Sequence, residues 1–220
     1  MRHTTIRSVL LGIGMCLTMT AIMTSGLVLG GCSDARTEKL QGVASGLAKT
    51  SASITELKVG VSKTNNMLQK FRSGAGFTEN YVLLKEQISA MKESAAYLKA
   101  NAEEMTTHRN EIVVTWREEI NAVKDPVLKA SAAERSKNLS DSVGDITSNF
   151  TLAKEAYLPY VACLDEITKF LDRDQTPSGV KVAGPAIEKS VKAGLDVQVQ
   201  LQMLSSKLDA LTGEVSPAGK

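Results

Sequence analysis

Aromatic side chains make up only 4% of this 220-residue chain, and Trp116 is its single tryptophan. Strands rely on aromatic and β-branched residues to fill a pleated face. Their scarcity, beside plentiful Ala, Ser, Leu and Lys, points away from sheets and toward long helices. Proline occurs at only five positions and histidine at two, His3 and His108. So thin a supply of imidazole already narrows the catalytic and metal chemistry the chain can offer.

Charge is absent altogether from Ser8 to Ser33, after a short start that holds Arg2 and Arg7. The uncharged stretch carries Val9, Leu10, Leu11, Ile13, Met15, Leu17, Ile22 and Met23. A basic start, an apolar middle and small residues at the end form the layout of a secretory signal. The end is Leu29-Gly30-Gly31-Cys32, which resembles the bacterial lipobox. The resemblance implies a signal peptide over residues 1–31 and a lipidated linker over 32–37. It also implies diacylglycerol on the Cys32 thiol, cleavage before Cys32 and palmitate-like acylation of the new amino group. The small residues have a steric reason, since a bulky side chain would not fit a peptidase cleft beside a lipid. Two or more acyl chains anchor stably where one holds only marginally. The rival reading is an uncleaved transmembrane helix, for which the run is long enough. Either way residues 33 onward face away from the cytoplasm, which means the periplasm. An Asp directly after the lipidated Cys favours inner-membrane retention in lipoprotein sorting. Ser33 stands there, which favours the outer membrane.

Cysteine and net charge are equally sparse beyond the signal. Cys16 leaves with it and Cys32 is lipidated, so Cys163 alone remains and no intramolecular disulfide can form. Of 26 basic residues two, Arg2 and Arg7, precede Cys32, leaving 24 against 24 acidic ones. A balanced chain lacks the basic face that nucleic acid needs.

What is present is a 3-4 spacing of core positions. It falls first on Leu40, Val43, Leu47, Thr50, Ile54, Leu57, Val61, Thr64, Leu68 and Phe71, and Ser73-Gly74-Ala75-Gly76 then stops the helix. Thr78 is expected to cap the second helix, with Phe77 and Val82 as a hydrophobic staple. That helix carries Tyr81, Leu84, Ile88, Met91, Ala95, Leu98, Ala102, Met105, Arg109, Ile112 and Trp116. Asp125-Pro126 reads as a cap and restart. The third segment carries Leu128, Ala132, Arg135, Leu139, Ser142, Ile146, Asn149, Ala153, Ala156, Tyr160, Cys163, Ile167 and Phe170. Val143, Phe150, Tyr157, Leu164 and Leu171 widen its stripe, and Pro159 predicts a kink or break. Residues 172–185 read as a loop. The last helix holds Ile187, Ser190, Gly194, Val197, Leu201, Leu204, Leu208 and Leu211, and residues 213–220 form a disordered tail. The fold is therefore all-α, an elongated antiparallel bundle or coiled coil of three to four long helices over residues 38–212. A stripe wider than strict heptads favours a closed bundle. Thr50, Thr64, Ser142, Asn149 and Ser190 dilute its core.

Several segments together resemble a family. They are Trp116-Arg117-Glu118-Glu119-Ile120, Ala133-Glu134-Arg135 and Tyr157-Leu158-Pro159-Tyr160-Val161, followed by Phe170-Leu171 and the ladder Leu204, Leu208 and Leu211. The chain is similar over residues 38–212 to Gram-negative lipoproteins built on a helical, coiled-coil-like domain of unknown function. It departs at Asp172-Arg173-Asp174, where the resemblance implies a basic, Asn-rich turn. The family carries no established activity, so it implies address and architecture alone.

Chemistry-bearing residues are few. Glu104, His108 and Glu111 share one side of the second helix, and the expectation is an ion-pair face, since a di-metal bundle needs ligands from several helices. No metal or cofactor is implied. Cys163 lies on the core stripe and reads as an inert thiol. Arg109 and Arg135 fall at core positions with Glu119 on the stripe. They are expected as register-setting ion pairs, with an anion pocket between helices as the alternative. Trp116 reads as a core plug near a bundle end. Gly74-Ala75-Gly76 has no following Lys-Ser/Thr and is a turn, not a phosphate loop. No nucleophile, base and orienting group assemble, so the chain is not expected to be an enzyme. The expected function is a lipid-anchored periplasmic module that binds a protein partner or itself through helical faces. The alternative is a ligand-binding or sensing bundle.

Overall fold

A computed structural model describes residues 33–72 and 77–215 of the chain. Among these residues are four helices: α1 (Ser33–Arg72), α2 (Phe77–Ala122), α3 (Pro126–Leu171) and α4 (Pro177–Val215). They run up and down in turn and close into a ring, α1 on α2, α2 on α3, α3 on α4 and α4 back on α1. The α2–α3 seam is the thinnest of the four. Periodicity explains the closure. Each helix lays Leu, Ile, Val or Met at alternating steps of three and four, and the stripe is too wide for one partner to cover. Ile54, Leu68, Leu84, Met91, Ile146, Leu164, Ile187 and Leu201 are all fully buried in the shared interior. Each such side chain contributes about 1.5–3 kcal/mol through loss of water contact.

Small residues set the spacing of α1 and α2. Gly46, Ser53 and Gly60 recur every seventh residue on the α1 face turned to α2. A Cβ on Gly46 would lie 3.4 Å from the Met105 backbone, and one on Gly60 3.4 Å from that of Met91. Ser53 Oγ accepts from Asn101 Nδ2 at 2.7 Å in the same seam. With no bulky side chains between them, the two backbones approach closely.

The helix ends follow local chemistry. Asp125 caps α3, its side chain accepting from the backbone N–H of Val127 and Leu128 at 2.9 Å, with Pro126 next. Thr176 caps α4 through its hydroxyl, which accepts from Gly179 N at 3.1 Å, and Pro177 follows. The expected loop over 172–185 is therefore shorter, because Pro177 opens a helix instead of breaking one. Pro185 is carried inside α4, and Pro159 inside an unbroken α3. Both rings are exposed, so the lost hydrogen bonds face solvent. α2 begins at Phe77, one residue ahead of the Thr78 expected to cap it. Val82 is exposed, and its expected staple partner, the Phe77 side chain, lies outside the described residues. So does the stop at Ser73-Gly74-Ala75-Gly76. Helix extends beyond the expected 38–212, to Ser33 and Val215.

The bundle is not flush at its ends. Gly42 faces His108 and Gly46 faces Met105, so steps back along α1 match steps forward along α2. Ser33 therefore stands level with Arg117, and α2 continues five residues further, about 7–8 Å. On the other side Lys207 pairs with Asp145 at 2.9 Å, which sets Val215 level with Lys137. Among the described residues, 118–136 thus form a two-helix hairpin that projects past both neighbours. Leu128 had the spacing of a core residue, yet it is exposed there, where among the described residues no third helix reaches it.

Candidate functional site

The expected site residues separate in space. Arg109 is half-buried on α2, and its guanidinium donates to Ser140 Oγ at 3.3 Å and to Asn110 Oδ1 at 3.4 Å. It forms no ion pair among the described residues. Arg135 is exposed, a correction to its expected core position, because it belongs to the projecting hairpin. Glu119 is half-buried on the same hairpin. A buried anion site needs converging cations with water excluded, and these residues do not make one. The groove nearest to that description is open, lies between α2 and α3, and is lined by Arg117, Asn121, Ser136, Lys137, Ser140 and Asp141. Lys137 already faces Asp141 at 3.5 Å.

Glu104, His108 and Glu111 do share one polar face of α2. His108 Nε2 lies 3.8 Å from Glu104, and Nδ1 lies 3.6 Å from Glu111. Lys49 of α1 completes it at 2.8 Å from Glu104. The Lys49 hydrogen bond, more than the imidazole, holds the Glu104 carboxyl below its ordinary range. The His108 ring rests on Gly42, where a Cβ would meet it at 3.6 Å. Cluster and glycine together clip the start of the α1–α2 seam. No group of three His, Cys, Asp or Glu is placed to hold a metal among the described residues. Cys163 is half-buried, with its thiol 3.5 Å from the Ala186 carbonyl. Trp116 is partly buried and packs against the core near the hairpin. The lipobox residues Leu29, Gly30, Gly31 and Cys32 lie outside the described residues.

The polar residue that spacing overlooked is Asn65. It sits one step off the core stripe yet is buried, and it links three helices. Tyr160 of α3 donates to Asn65 Oδ1 at 3.0 Å, and Asn65 Nδ2 donates to the Val191 carbonyl of α4 at 3.2 Å. Gly194 leaves the room, since a Cβ there would lie 2.4 Å from the Asn65 amide. Burial raises the Tyr160 phenol well above its usual range, so it stays a donor at all ordinary pH. A second link ties the start of α2 to the end of α3. The single Tyr81 hydroxyl proton is shared between the Thr168 carbonyl at 2.8 Å and Asp172 at 2.9 Å, beside Lys85 at 3.0 Å from the same carboxylate. These contacts fix register. They do not assemble a nucleophile with a base.

Exposed apolar residues form the other candidate surface. Leu195, Val199 and Met203 are each about half exposed and follow one another at four-residue steps along the outer face of α4. Val127 and Leu128 crown the hairpin. No family model, curated protein or solved structure matches this chain, so the reading of these surfaces rests on their own chemistry.

Proposed function

We propose that the chain is a lipid-anchored envelope protein of the kind the uncharacterised helical lipoproteins represent, held by acyl chains on Cys32. It faces the periplasm, preferentially from the outer membrane, and binds a protein partner through a helical face. The observation that carries the anchor is Leu29-Gly30-Gly31-Cys32 at the end of an uncharged stretch. No helix among the described residues is long and apolar enough to cross a membrane. The observation that carries partner binding is the row Leu195, Val199 and Met203. Three large apolar side chains along one exposed ridge are the anchors a partner helix uses.

Metabolic labelling with an alkyne fatty acid, membrane fractionation and mass analysis of the N-terminal peptide test the anchor. The expected product begins at acylated Cys32, while Cys32→Ala stays unlabelled and uncleaved. A wild-type protein that retains residues 1–31 without label would overturn the anchor. For the partner, a photocrosslinker at Val199 in intact cells should capture one defined protein, and capture should be lost with Leu195→Asp. Recovery of the uncrosslinked monomer alone would overturn partner binding through this face.

A further inference from the structure

The end of the bundle where α1 begins is also the end from which the hairpin projects. The hairpin turn, residues 123–125, stands about 7–8 Å beyond the level of Ser33, and Cys32 is the residue directly before Ser33. An acylated Cys32 must sit at the lipid surface, because its chains are in the hydrocarbon. With the bundle upright on that surface, the hairpin apex reaches the headgroups. What the apex presents fits that position. Val127 is 74% exposed and Leu128 64%, beside exposed Pro126. Lys124 and Lys129 flank them, able to reach phosphates along apolar stems. Asp125, the acidic residue of the apex, has its carboxylate turned onto the α3 N-terminus as a cap.

We infer that the α2–α3 apex is a second membrane contact, with Val127 and Leu128 inserted at headgroup depth of the bilayer that holds Cys32. The inference rests on the lipid-anchor reading. A single acylated residue leaves a rod free to swivel, whereas two contacts at one end hold it upright. The helical bundle is then presented at a set angle, with the α3–α4 loop about 70 Å from the membrane.

The test uses the full-length lipoprotein, its acylation verified by mass, in vesicles of phosphatidylethanolamine and phosphatidylglycerol. An environment-sensitive fluorophore is placed at Val127→Cys, or at the distal control Gln175→Cys, in a Cys163→Ser background. Circular dichroism confirms that each variant is helical. Headgroup-nitroxide lipid should quench the label at 127 by at least twofold and leave that at 175 unchanged. Substituting Leu128→Asp should abolish most of the quenching without reducing acylation or membrane recovery. An acylated, membrane-bound protein whose label at 127 is unquenched overturns the inference and leaves the anchor standing. A blue-shifted but unquenched label that responds to protein density assigns the apex to a second copy and also overturns it. An unacylated N-terminal peptide overturns both readings.

Discussion

The hydroxyl of Tyr160 on α3 donates to the side-chain oxygen of Asn65 on α1 at 3.0 Å, across the interior of the bundle. The pair is buried, and Gly194 on α4 supplies the notch that holds the amide. A buried hydrogen-bonded pair permits one register, since a slip of α1 against α3 would leave both groups unpaired, and a slip of α4 would carry the Val191 carbonyl and the Gly194 notch away from Asn65. Tyr160→Phe should lower stability by about 1–3 kcal/mol, the cost of an acceptor left without its donor. Asn65→Ala should cost more, because it orphans the hydroxyl and opens a hole. Urea midpoints measure both.

Glycines at different depths should respond with opposite signs. Ala at Gly194 gains about 1 kcal/mol of helix propensity but drives a Cβ into the Asn65 amide, at 2.4 Å. Overpacking of about 1–3 kcal/mol outweighs the gain. Adding Asn65→Ala to Gly194→Ala makes room, so the double variant should be more stable than the two single effects predict. Gly144 lies on α3 with nothing within 4 Å of where a Cβ would stand, and Ala there should stabilise by about 0.5–1 kcal/mol. A thermal melt of each variant gives the sign.

Helix number, order and most of the core were legible because burial imposes a periodicity that survives in the sequence. Leu47, Ile54, Leu84, Ile146 and Leu201 all fell on the stripe and all are buried. Two things were hidden. Asn65 lies beside the stripe, and only the notch at Gly194, 129 positions away, makes its burial possible; no local pattern records such a pairing. The hairpin overhang depends on relative helix lengths. Leu128 and Arg135 keep core spacing but lie past the described end of α4, and that shortfall can be read only once the register is known. Pro185 misled for a related reason, since a ring on an exposed face costs a helix less than its sequence reputation suggests.

Acid should loosen the corner where α2 meets α3. Hydrogen bonds from Lys85, then from Tyr81, hold the Asp172 carboxyl below its ordinary range. A depressed folded value means that the unfolded chain takes up the proton first. The contribution is fully present above the unfolded value of about 3.9 and is lost as pH falls through the lower folded one. Glu104 behaves the same way through Lys49. Urea midpoints should therefore be level from neutral pH to about 5 and fall below about 4. Asp172→Asn should show a shallower fall, with the gap to wild type narrowing as pH decreases. Parallel curves at every pH would sink the assignment.

The cap at Asp125 offers a test of how independent the projecting hairpin is. Its carboxylate accepts from two backbone N–H groups at 2.9 Å, satisfying donors that the first turn of α3 cannot pair internally. Removing a cap costs about 0.5–2 kcal/mol. In a helix packed along its whole length, that loss would appear in the global unfolding midpoint. Here, among the described residues, the first turns of α3 have α2 as their neighbour, so the hairpin can open without dissolving the core around Ile146 and Leu164. Asp125→Ala should therefore leave the urea midpoint nearly unchanged while hydrogen exchange accelerates severalfold over residues 118–136 only. Uniform acceleration along α3 would instead mean that hairpin and bundle unfold as one unit, and that the α2–α3 seam, thin as it is, couples them fully.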